Sequence, residues 1–116
     1  MDPMKFAHQI SELIKSKKGY DIKILDLRKI SAIADIFIIC SADSERQVKA
    51  IADEVDEKLL ANGIRCFHKE GYETMNWILL DYFDVVVHVF RTEARNYYSL
   101  EKLWGDAPVI KIKDDE

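Results

Sequence analysis

The stretch Trp77-Ile78-Leu79-Leu80-Asp81-Tyr82-Phe83-Asp84-Val85-Val86-Val87-His88-Val89-Phe90-Arg91 decides the architecture. It contains two apolar runs, 77–82 and 84–91, rich in the β-branched and aromatic residues that suit a pleated surface. They are joined so tightly that an antiparallel hairpin is the natural reading. A two-residue loop, either Tyr82-Phe83 or Phe83-Asp84, groups odd positions of the first strand with even positions of the second. One face then carries Ile78, Leu80, Tyr82, Val85, Val87 and Val89 and should pack on helices. The other carries Trp77, Leu79, Asp81, Val86, His88 and Phe90, with Asp84 at its tip end.

That second face has two readings. A mixture of Trp, Leu, His and Phe with acidic edges resembles the core of a protein interface, where Trp is a leading anchor. Equally, an α/β sheet is often covered on both sides, and the face would then pack beneath a second helix layer. His88 alone fits a satisfied core histidine, and Trp104 fits helix packing.

Outward from the hairpin, the pattern predicts the other elements. Asp2 as N-cap and Pro3 at the first helical position open a helix over about 3–17, with Phe6, Ile10, Leu13 and Ile14 at helical spacing. Alternation predicts a strand over 21–28, and residues 29–31 read as a turn. The nearly continuous apolar run within 34–42 predicts a strand buried on both faces. Ser44 and Gln47 form a capping box for a helix over 44–61, closed by Asn62-Gly63. A strand over 64–69 is broken by Glu70-Gly71. Thr92 caps a last helix with Glu93 in its first turn and Ala94, Tyr97, Leu100, Leu103 and Trp104 on its apolar side, ended by Gly105. The order α-β-β-α-β-β-β-α gives an α/β fold, a mixed five-stranded sheet flanked by helices. Residues 1–108 form a single domain, and 109–116 a mobile tail.

Composition bounds the function. The chain has 116 residues, 48% hydrophobic and 33% charged, as expected of one globular domain. Its net charge of −4 argues against binding driven by nucleic-acid phosphates. The charge is unevenly spread. Residues 1–29 hold seven basic and four acidic side chains, whereas residues 70–106 hold three basic and seven acidic. The half with the unusual hairpin face is therefore acidic and suited to a basic protein partner.

No apolar run approaches a membrane span, and the N-terminus has neither a signal-peptide core nor a transit-peptide pattern, which favours the cytoplasm. Cys40 and Cys66, with no C-x-x-C spacing, read as reduced thiols. No nucleophile elbow, metal-ligand spacing or glycine-rich phosphate loop accompanies His8, His68 or His88, so neither a cofactor nor a metal is indicated. Asp81 and Asp84 fit turn chemistry better than a magnesium pair. The run Asp53-Glu54-Asp56-Glu57 reads as a solvated helix face.

Several segments resemble the ribosomal silencing factor, or Iojap, family. They are Ser31-Ala32-Ile33-Ala34-Asp35, the helical Val48-Lys49-Ala50-Ile51-Ala52-Asp53-Glu54-Val55, both hairpin strands, and Tyr98-Ser99-Leu100-Glu101-Lys102-Leu103-Trp104-Gly105-Asp106-Ala107-Pro108. The likeness runs from about residue 5 to 108 in the family's order. The chain departs from it at Phe83, where members often have Gly, at Ile36, often aromatic, and at Ala42-Asp43, which replaces a Gly-containing turn.

The resemblance implies a nucleotidyltransferase-like fold without that activity, and this chain lacks the Gly-Ser and Asp-x-Asp motifs such enzymes use. It also implies binding to the large ribosomal subunit through ribosomal protein L fourteen, a steric block of subunit joining under nutrient limitation, and homodimers of the free protein. On this reading Trp77, Leu79, Val86, His88 and Phe90 make the apolar contact, and Asp81, Asp84 and Glu70 supply rim charge. The alternative is a nucleotidyltransferase-like enzyme with an atypical carboxylate site.

Overall fold

In the computed structural model Asp2 accepts a hydrogen bond from the Met4 amide at 3.1 Å, and Pro3 occupies the first turn of the helix that follows. This helix, α1 (Pro3–Ser16), buries Phe6, Ala7, Ile10 and Ile14 along one stripe. The structure describes residues 2–32 and 34–113; Ile33 of the family-like segment and tail residues 114–116 lie outside the described residues.

Strand β1 (Tyr20–Asp26) runs antiparallel to β2 (Ile36–Ala42), which is buried on both faces as its apolar run predicts. The Ser44 hydroxyl accepts from the Gln47 amide at 3.1 Å and starts α2 (Glu45–Ala61), so the predicted cap forms. The Gln47 side chain makes a different bond from the one a capping box has, taking the amide before the cap. Its Oε1 accepts from the Asp43 amide at 2.7 Å, while Nε2 donates to the carbonyls of Lys17 and Lys18 at 3.3 and 3.0 Å. One glutamine therefore ties the start of α2 to the carbonyls left unpaired after α1.

The chain continues through β3 (His68–Glu70), β4 (Trp77–Asp81) and β5 (Val85–Arg91). The sheet order is β3-β4-β5-β2-β1-β6, where β6 is Val109–Lys111. Among the described residues only β2 and β5 pair in parallel. Side chains 36, 38 and 40 of β2, with 85, 87 and 89 of β5, meet α1 and α2 in the larger core cluster. The opposite face is covered at one end by α3 (Thr92–Tyr98) and α4 (Leu100–Leu103), where Leu25, Leu27, Ile39, Phe90, Leu100 and Ala107 cluster.

Four expectations need correction. Thr92 is the first residue of α3 and not its cap: Arg91 holds the cap position without a side-chain bond, and the Thr92 hydroxyl donates to the Ala42 carbonyl at 3.2 Å. The sheet has six strands, not five, because residues 109–111 of the expected mobile tail pair with Leu25, Ile24 and Lys23. Without β6 the backbone edge of β1 would stay unpaired, and the β-branched Val109, Ile110 and Ile112 suit a strand there. The 64–69 strand shrinks to His68–Glu70. The last helix is broken at Ser99, whose left-handed backbone (φ 50°, ψ 46°) turns the axis. Of the residues expected inside, Tyr97 is 82% exposed because α3 turns Arg95 inward, and Leu103, beyond the break, is 74% exposed.

Gln47→Ala should lower unfolding free energy by about 1–2 kcal/mol, more than the roughly 1 kcal/mol expected of Ser44→Ala. Urea unfolding should show a lower midpoint with an unchanged slope in both. Equal losses would mean that the bonds to Lys17 and Lys18 add nothing.

Candidate protein-interaction face

The hairpin register pairs Trp77 with Phe90, Leu79 with His88 and Asp81 with Val86. Of the two loops considered, Phe83-Asp84 is the one formed, with the Tyr82 amide donating to the Val85 carbonyl at 2.9 Å. Phe83 takes φ 77° and the Asp84 amide reaches back to the Tyr82 carbonyl at 3.1 Å, a tight three-residue turn. Positive φ explains why glycine suits this position. Asp81 accepts from the Phe83 amide at 2.8 Å and so serves the turn as well as the face.

The predicted grouping of side chains therefore holds. Cross-strand pairing extends the face in both directions. Leu79 lies opposite Glu70 of β3, and Val86 and His88 lie beside Phe37 and Ile39 of β2.

Burial divides the predicted contact residues into two groups. Trp77, Leu79 and Asp81 are half-buried, and Glu70 and Asp84 are exposed. Val86, His88 and Phe90 are only 7%, 3% and 0% exposed, so they form the floor of the face and are not an open contact surface. The physical reason is the aromatic cover above them. Phe37 lies 4.6 Å from the His88 ring and 5.9 Å from Trp104, while Trp77 stacks on Phe90 at 4.8 Å and leans on Tyr98 at 4.9 Å. The face packs under α3 and α4 at one end and stays open at the other.

His88 organises this layer. Its Nδ1 accepts the indole N–H of Trp77 at 3.0 Å, which leaves the ring proton on Nε2. Burial pushes its pKa down to about 3, so the ring is neutral at physiological pH. Nε2 has no hydrogen-bond acceptor among the described residues. The Trp77 indole is consequently fixed in orientation by one hydrogen bond and one stacked ring.

The sequence reading missed Arg95. Its side chain is 5% exposed and stands between α3, α4 and the sheet. Nη1 donates to the Asp21 carbonyl at 2.6 Å and to the Ser41 hydroxyl at 2.8 Å, and Nε donates to Glu101 at 2.8 Å. Lys23 holds the other Glu101 oxygen at 2.8 Å. These cations, Arg95 first, hold the Glu101 carboxyl down at about 2. The only sequence clue was polar: Arg95 and Glu101 lie six residues apart, out of register for one helical face.

Reactive groups are poorly placed for covalent chemistry. Cys40 is buried, and burial pushes its thiol up to about 12. Burial likewise raises Cys66, whose Sγ donates to the His68 carbonyl at 3.2 Å. Among the described residues no three of His, Cys, Asp and Glu are grouped to hold a metal ion, and no helix is long and apolar enough to cross a membrane.

Comparison with known proteins follows this geometry. The family model described as ribosomal silencing factor during starvation matches residues 2–116. A Bacillus subtilis protein named ribosomal silencing factor RsfS is 50% identical over 83% of this chain and 81% of its own. The Halalkalibacterium halodurans protein of the same name is 47% identical over 86% of each chain. A crystal structure of a Chromobacterium violaceum protein superposes with a TM-score of 0.87 at 39% identity, covering 90% of this chain and 88% of that one.

The Glu101 brace predicts an acid-sensitive α3–α4 cover. Its folded-state pKa lies below the usual 4.5, so the stabilisation is present above that value and is lost as pH falls toward about 2. Glu101→Gln should therefore cost about 1–2 kcal/mol at neutral pH and converge on the parent in acid. Urea unfolding across pH 7 to about 2.5 checks it; a constant gap would exclude the titration of Glu101 as the cause.

Proposed function

Because the chain belongs to the ribosomal silencing factor family, we propose that it is a non-catalytic translation repressor that binds the large ribosomal subunit and keeps the small subunit from joining. The observation that carries the mechanism is the half-covered aromatic face with its acidic rim. Trp77 and Leu79 are the open apolar anchors. Val86, His88 and Phe90 are the rigid floor beneath them. Glu70, Asp81 and Asp84 give the rim its charge. This chemistry complements a basic ribosomal protein, and the partner in this proposal is ribosomal protein L fourteen.

The repression is steric. A protein with principal extents of 35 × 34 × 31 Å, seated where the small subunit docks, excludes it with no chemical step. The setting is the cytoplasm under nutrient limitation. Neither nucleic-acid sequence readout nor a membrane enters the mechanism.

The direct test is sedimentation with purified subunits. The protein should travel with the large subunit and lower the yield of joined ribosomes; travel with neither subunit would end the proposal. Trp77→Ala should weaken large-subunit binding by about 2–4 kcal/mol. Because that change also leaves His88 unpaired, Leu79→Ala serves as a second variant that spares the hydrogen bond. Asp84→Asn should chiefly slow association and flatten its dependence on salt. Unchanged co-sedimentation in both apolar variants would move the contact to another surface.

A further inference from the structure

Between β3 and β4 the acidic rim and the aromatic layer meet in an open cleft of about 270 Å³, bordered by Glu70, Gly71, Trp77 and Leu79. At its border the backbone of Gly71 packs tightly against that of Trp77. The Gly71 φ is 96°, and a Cβ there would stand 1.9 Å from the Trp77 carbonyl oxygen. Leu79 lies directly across the ladder from Glu70 and gives the cleft an apolar wall. The indole beside it cannot swing away, being held by His88 and Phe90.

The charge in the cleft is not committed to a strong internal partner. Glu70 meets the His68 Nε2 at 3.0 Å, but the two side chains are 64% and 57% exposed, so water and other cations compete freely. The adjacent Lys69 turns to the other side of the sheet, where Asp56 holds it. What remains is a carboxylate above an aromatic and an aliphatic wall. Those are the three surfaces that a long cationic side chain satisfies at once.

We propose that this cleft receives one arginine side chain of the basic partner, its guanidinium on Glu70 and its aliphatic stem along Trp77 and Leu79. The identity of the partner rests on the function proposed above; the preference of the cleft for a guanidinium does not. Arginine suits it better than lysine because a planar fork pairs two-pronged with a carboxylate, stacks against an aromatic edge or face, and sheds water more readily.

The test uses the full chain, labelled with ¹⁵N, and three free probes at matched ionic strength: arginine amide, citrulline amide and norleucine amide. Citrulline keeps the shape and removes the charge; norleucine keeps the stem alone. Arginine amide should give saturable shifts at the Gly71 amide and the Trp77 indole N–H. Citrulline amide and norleucine amide should leave both in place. Glu70→Gln, an exposed change that leaves the fold intact, should weaken arginine amide by about threefold or more, the size of an exposed ion pair. Equal shifts with citrulline amide, no localised shifts with arginine amide up to its solubility limit, or unaltered binding by Glu70→Gln would each overturn the proposal. Sedimentation separates the two claims. Cleft binding without large-subunit binding sinks the proposed function and leaves the cleft standing. Large-subunit binding with an indifferent cleft does the reverse.

Discussion

The central parallel pair, β2 and β5, is apolar on both faces, and this constrains everything around it. A sheet of that kind must be covered on two sides. The two long helices, α1 and α2, both lie on one side and fill it with branched side chains. The chain keeps only α3 and α4, with seven and four residues, for the other. So little helix covers only one end. The rest of that face closes itself with rings, which bury large area with few rotatable bonds. An aromatic, half-open surface is thus what a chain of 116 residues leaves when its helices are distributed this way.

Short helices cannot hold themselves in place, since helix nucleation is costly and two turns recover little. Position therefore depends on the Arg95–Glu101–Lys23 brace and on Leu100 reaching the small cluster. The left-handed Ser99 follows from the same demand. With the break in place, Leu100 is buried and Glu101 meets Arg95, while Tyr97 and Leu103 stay outside. The family relationship and the fold agree here: the matched region runs through this segment and on into β6.

Most of the architecture was legible in sequence because it depends on local periodicity. Helix caps at Asp2 and Ser44, the two-faced run 36–42 and the alternation of 77–90 each carry their own signal, and all of them form. The failures share a cause, which is that they depend on contacts distant in sequence. Strand β6 exists because β1 has an open edge some eighty residues earlier, and a short polar tail does not announce that. Ser99 breaks a regular apolar pattern to satisfy a buried cation. On the face itself, side-chain grouping was readable from alternation, but the burial of Val86, His88 and Phe90 was not, because Phe37 and Trp104 arrive from elsewhere in the chain.

The Arg95–Glu101–Lys23 brace and the Glu70–Asp81–Asp84 rim are both electrostatic, yet they sit in different media. Side chains in the brace are between 5% and 29% exposed and are bonded to one another directly. Glu70 and Asp84 of the rim look onto solvent, where mobile ions screen interactions beyond roughly 10 Å at moderate ionic strength. Salt therefore acts as a selective probe of this molecule. It screens what the surface offers to a visitor while leaving the internal cover in place, so ionic strength tunes recognition without loosening the architecture that presents it.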